Sequence, residues 1–349
     1  MDAVQKQNAF ESFLAQQDDK SWSEALDILL PLVHPVDQDA TRIWFSFWPL
    51  QLHQIVQESD DLEQTAQKLE LRGGYQLEKQ LDSSVDFLYG SRYWSGVNEA
   101  VCTHSEGWTS GGGSLTDQIQ AIAKQIASKL RVPESHLLGI TAVALMVLRQ
   151  IGRDTFSANF LKIPQGKSSP ERVLRARSRK RGGLLGFLRT VDARYTVTFN
   201  EQDKSACFQA IHGQDISMAA GKDERDYQSS DPRRIGGPIP FQCRVANCGT
   251  CWIGVLGGKE KLSEISPFEK ERLKYFGYDF GNSEQETHPP IRLACQAKCL
   301  GNVSIAIAPW NGILNVRRFS GQVGVPASEN MDVPEERDES LPTEGQVQS

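Results

Sequence analysis

Five of the seven cysteines (Cys243, Cys248, Cys251, Cys295 and Cys299) fall within a 57-residue stretch, and their spacing constrains this chain more than any other feature. The run is Cys243-Arg-Val-Ala-Asn-Cys248-Gly-Thr-Cys251, and 43 residues separate Cys251 from Cys295 in Arg292-Leu-Ala-Cys295-Gln. An odd, clustered set of thiols makes a poor disulfide framework and points to metal or redox chemistry. The C-x4-C-x2-C…C spacing is that of a two-iron, two-sulfide cluster. Each iron needs two thiolates beside the bridging sulfides. One tight loop can bring three, and the fourth must come from elsewhere in the fold. Small residues such as Gly249 and Thr250 leave the backbone N–H groups free to point at sulfur, which stabilises the anionic cluster. The rival reading is zinc held by Cys248, Cys251, Cys295 and Cys299. It leaves Cys243 and its loop unexplained.

Around these ligands the chain resembles the [2Fe–2S] ferredoxin domains of the plant and adrenodoxin superfamily, from about Arg194 to Ile307. The resemblance is carried by Phe241-Gln-Cys243 through Cys251, by Lys261-Leu-Ser-Glu264 with Glu269, and by Arg292-Leu-Ala-Cys295-Gln-Ala-Lys with Val303-Ser-Ile305. It implies a β-grasp fold, a [2Fe–2S] cofactor held by Cys243, Cys248, Cys251 and Cys295, and protein redox partners. Three departures stand out. Ala246 occupies a position where family members often carry glycine. Residues 222–240 are longer and more polar than the usual approach to the cluster loop. Residues 192–318 hold 16 basic and 15 acidic residues, so no acidic docking patch is evident. Cys299 reads as an incidental thiol, because the Arg-Leu-Ala-Cys-Gln pattern places the ligand at Cys295. Cys102 and Cys207 read as small buried hydrophobes.

The rest of the chain predicts an α+β molecule with four parts: a mostly helical domain over residues 1–155, a basic linker over 156–191, the ferredoxin-type domain over 192–318 and a disordered acidic tail over 319–349. Ser21-Trp-Ser-Glu24 has the pattern of a capping box. Leu62, Ala66 and Leu69 fall on one helix face ahead of Gly73-Gly74, and Ile119, Ile122, Ala123, Ile126 and Leu130 on another. The break at Val132-Pro133-Glu134-Ser135 predicts a helical hairpin with the apolar run Leu137–Leu148. At 12 residues that run is too short for a bilayer span of about 20 and reads as a buried helix. Trp44, Phe45, Phe47 and Trp48 read as core aromatics. Residues 167–189 carry eight basic residues and one acid around an apolar Gly-Gly-Leu-Leu-Gly-Phe-Leu patch, which fits a solvated linker, a docking site for an acidic partner or a peripheral membrane contact. Strands are expected at Tyr195–Phe199 and Val303–Ala308, and helices at Asp215–Gly221 and from Ser266-Pro267. From Ser320 onward the chain holds seven acids, one arginine and three prolines.

A net charge of -6 argues against a nucleic-acid binder. The amino terminus lacks the basic start and apolar stretch of a signal peptide, so a cytoplasmic protein is expected. No Rossmann glycine pattern, P-loop, second cluster motif or nucleophile–base pair is present. The expected role is one-electron transfer, with the helical domain docking the cluster domain to a partner. Two further readings stay open: a sensor or regulatory adaptor that responds to cluster status, and a helical enzyme fed by the attached cluster.

Overall fold

The computed structural model describes residues 8–47, 85–109, 113–158, 168–178, 193–229, 234, 236–241, 243–247, 249–275 and 287–307. The expectations for Leu62, Ala66 and Leu69, for Trp48 and the Phe47 side chain, for residues 179–189 and for the acidic tail lie outside them.

The fold is α+β. Its amino-terminal half is built around one helix, α6 (Leu138–Ala158), whose residues from Leu138 to Leu148 are all buried. A helix apolar all round belongs at the centre of a bundle. Packed on it are α1 (Ala9–Ala15), α3 (Pro35–Phe47), α4 (Trp94–Gly107) and α5 (Leu115–Leu130), while α2 (Asp19–Leu29) lies against α5. Ile119, Ile122, Ala123 and Ile126 form the buried face of α5, and Leu130 sits exposed at its end. Arg131, in the left-handed region at φ 56°, stops α5 and turns the chain into the α5–α6 hairpin. Gly152 (φ 73°) interrupts α6 near its end.

Helix α2 starts earlier than the Ser21–Glu24 pattern suggests. Asp18 is the cap, and its side chain accepts the N–H of Ser21 at 2.8 Å. A carboxylate one turn ahead outcompetes the serine as acceptor for the orphan N–H groups.

The carboxyl-terminal half is a mixed five-stranded sheet in the order β2-β1-β5-β3-β4, from β1 (Arg194–Thr198), β2 (Cys207–Ile211), β3 (Trp252–Gly257), β4 (Ile291–Leu293) and β5 (Val303–Ile307). β1 pairs antiparallel with β2 (Val197↔Phe208) and parallel with β5 (Val197↔Val303), and β3 runs antiparallel to both β5 and β4. The central strands are covered on both faces, so the alternation in Val303-Ser-Ile-Ala-Ile is not echoed in exposure: Ser304 is buried and donates to Glu201 at 2.6 Å. A short helix, α8 (Ile216–Ala220), packs on β2, and α9 (Pro267–Tyr275) lies against β4. At the outer edge of β2, the Cys207 carbonyl accepts from Arg225 (2.6 Å). The Ile211 N–H and C=O are both taken up by Gln214 (3.0 Å each).

The two halves share one continuous apolar core. Helix α3 presses on β3 so closely that a Cβ on Gly254 would collide with the Ile43 side chain. Helix α7 (Pro170–Ser178), drawn from the basic segment, closes the seam. Its Arg177 is buried there. The guanidinium donates to Glu201 at 2.8 and 2.9 Å and to the Val36 carbonyl at 2.7 Å, and Lys261 donates to the Arg177 carbonyl at 3.0 Å. Nearby, Asp37 is fully buried and caps the short 3-10 turn Tyr89–Tyr93, accepting the N–H groups of Tyr89 and Gly90 at 2.6 Å each. Burial pushes the Asp37 carboxyl up to about 6, although those two N–H groups and Arg177 pull it down.

Candidate metal centre

Cys243 begins the loop that runs into β3, Cys251 ends it and Cys295 sits on the turn after β4. Cys248 lies outside the described residues. Cys251 and Cys295 are buried and adjacent, with the Cys251 thiol donating to the Cys295 sulfur; Cys243 is half-buried. That thiol–thiol contact, helped by Gln296 and the Ala246 N–H and opposed by burial, holds the Cys295 thiol down to about 7. A depressed thiol pKa favours the thiolate, the form that binds metal.

Loop conformation follows from its residues. Arg244 and Ala246 both lie in the left-handed region at φ 58°, and Gly249 at φ 68°. Left-handed residues in alternation turn successive N–H groups to one side. Here the Ala246 N–H reaches Cys295, and the Asn247 N–H reaches the Cys243 sulfur at 3.2 Å. Ala246 is therefore a position where a side chain carries strain of about 1 kcal/mol. The Val245 side chain beside it is 60% exposed.

Below the loop lies a floor that the sequence does not announce. Arg292 and Glu269 form a fully buried bidentate pair (2.9 and 2.8 Å). Glu269 also accepts the Leu293 N–H at 2.8 Å, and Arg292 donates to the Ser263 carbonyl at 2.7 Å. The Ala294 N–H then bonds the Cys251 carbonyl at 2.9 Å, and the Ala294 carbonyl accepts from Ser217 at 2.9 Å. Cys251 and Cys295 are thus fixed through their neighbours' backbones. Ser266 caps α9 as expected, accepting the Glu269 N–H at 3.1 Å, but the Glu269 carboxylate serves Arg292 and does not close a capping box. The available signal was a charged residue inside the apolar Ile291-Arg-Leu strand, which a buried position forces to find an acid.

Cys299 is fully buried, donates to the Gly301 carbonyl at 3.2 Å, and is pushed up to about 11 by burial. Cys102 and Cys207 are half-buried. Among the described residues, no three His, Cys, Asp or Glu side chains converge on one point that a metal ion could occupy. Among the same residues, no helix is long and apolar enough to cross a membrane. No protein-family model matches the chain, and no solved structure matches it.

Proposed function

We propose that residues 193–307 are a ferredoxin-type β-grasp domain that binds a [2Fe–2S] cluster through Cys243, Cys248, Cys251 and Cys295 and passes single electrons between protein partners. The observation that carries this reading is the contact between Cys251, at the end of a loop whose amides face sulfur, and Cys295 on the turn after β4. A zinc ion needs three or four donors around one point. A two-iron cluster takes its thiolates in two pairs. Cys251 and Cys295 fit one such pair, leaving Cys243 and Cys248 for the other iron. The strand order β2-β1-β5-β3-β4, with α8 after the first hairpin, supports the β-grasp part of the reading.

The bound cluster supplies one-electron chemistry. The protein's own part is to keep that centre rigid and near the surface. The floor beneath Cys295 limits movement between oxidation states, and the half-buried Cys243 beside exposed Val245 marks the side nearest a docking partner. The helical half, sharing a core with the sheet, holds that face in a fixed relation to the rest of the molecule.

Anaerobic purification, followed by iron and sulfide counts and electron paramagnetic resonance before and after dithionite, tests this. Two irons and two sulfides per chain with a spin-half signal on reduction are expected. Zinc with no reducible chromophore would overturn the reading.

A further inference from the structure

We propose that Arg272 is a positioning residue for the cysteine loop: it aims the Asn247 amide at the Cys243 sulfur and thereby favours the reduced form of the cluster bound there. The inference rests on the [2Fe–2S] reading above.

Arg272 projects from α9. Its Nε donates to the Ala246 carbonyl at 3.1 Å, and its Nη2 donates to the Asn247 carbonyl at 2.9 Å and to Asn247 Oδ1 at 3.0 Å. One planar fork thus grips two successive peptide groups, a task its geometry suits and a lysine ammonium does not. Peptide planarity makes the consequence specific. In a trans peptide the carbonyl of Ala246 and the N–H of Asn247 point in opposite directions. Holding that carbonyl toward α9 therefore drives the Asn247 N–H the other way, onto the Cys243 sulfur, where it lies at 3.2 Å.

The loop needs such a hold. Arg244 and Ala246 both occupy left-handed backbone conformations without being glycine. Strained conformations persist only where the surroundings over-determine them. The Arg272 fork supplies that constraint from outside the loop, leaving its inner face to sulfur. Both effects act in the same sense. An N–H bond to sulfur and a nearby guanidinium each stabilise the extra negative charge of the reduced state.

The test compares Arg272→Gln and Arg272→Lys with the parent, as full-length chains. Hydrogen exchange at the Asn247 amide is read in metal-free protein, and iron content and midpoint potential in the loaded form. Metal-free Arg272→Gln should exchange the Asn247 amide at least about tenfold faster. When loaded it should be harder to reduce by about tenfold in equilibrium constant, about 59 mV for one electron. Arg272→Lys, which keeps the charge and loses the fork, should show the faster exchange with a smaller shift in potential. Unchanged exchange in both variants, or an unchanged potential in Arg272→Gln, would overturn the proposal. A parent chain that takes up no iron and sulfide, with Asn247 exchange still dependent on Arg272, would overturn the cluster reading while leaving the positioning of Asn247 standing.

Discussion

Two arginine–glutamate pairs hold this molecule together, and they differ in what surrounds them. Arg292–Glu269, under the cysteine site, leaves both side chains 1% exposed. Arg177–Glu201, at the seam between helices and sheet, leaves them 6% and 23% exposed. The bidentate geometry is the same. The first pair is sealed, so each of its charges depends wholly on the other and on two backbone groups. In the second, water reaches the glutamate and Ser304 shares it. Identical chemistry therefore gives a rigid floor in one place and a more forgiving clasp in the other.

The sharpest way to break the comparison is Arg292→Ala. It strands a carboxylate where no water can reach, and removing one partner of a sealed pair costs about 3–5 kcal/mol. Urea titration should show that loss, and replacing both Arg292 and Glu269 with apolar residues of similar size should cost less than the single change.

The next largest effect concerns the seam and comes from pH. Asp37 has its carboxyl raised to about 6, above the ordinary value of 3.8 that it regains on unfolding. Between those values the folded protein holds a proton that the unfolded chain has released, so this group's contribution to stability falls as pH rises from about 4 to about 6 and is level above that. The drop is about 3 kcal/mol. It appears as the difference between the parent and Asp37→Asn in denaturation at a series of pH values; a constant difference would show that the carboxyl is not perturbed.

Arg177→Ala should cost about 2 kcal/mol, less than Arg292→Ala, because Glu201 keeps Ser304 and partial hydration. Equal losses for the two arginines in the same titration would erase the distinction drawn between floor and clasp. The smallest change sharpens the picture of the loop above the floor. Ala246→Gly relieves the φ 58° backbone and should stabilise the protein by about 1 kcal/mol, read as a higher denaturation midpoint.

The sequence made the thiols legible because ligand spacing is a local property. It also marked β1, β5, α8 and the start of α9, where Ser266-Pro267 is a capping signal read within a few residues. It did not reveal the arginines. Arg177 lies in a run of basic residues that resembles a solvated surface, and only the meeting of α3, α7 and the β1–β2 turn makes it interior. Arg272 sits in the polar sequence Glu-Lys-Glu-Arg, where nothing distinguishes a residue facing the cysteine loop from one facing water. Glu269 meets its partner Arg292 across 23 positions of sequence. Each of these roles depends on a long-range pairing, which periodicity and capping rules do not carry.

The tied rungs of β2 bear on how copies of this protein behave when crowded. A sheet ordinarily invites growth at its open margin, since unpaired backbone groups there can template an incoming strand. Here Arg225 and Gln214 already occupy the outward groups of Cys207 and Ile211, and at the opposite margin Glu269 holds the Leu293 N–H. An approaching strand would have to displace ionic or side-chain bonds before gaining its own. These bonds blunt both margins of the sheet against an incoming strand, and at one of them the carboxylate involved is the same one that steadies the cysteine site.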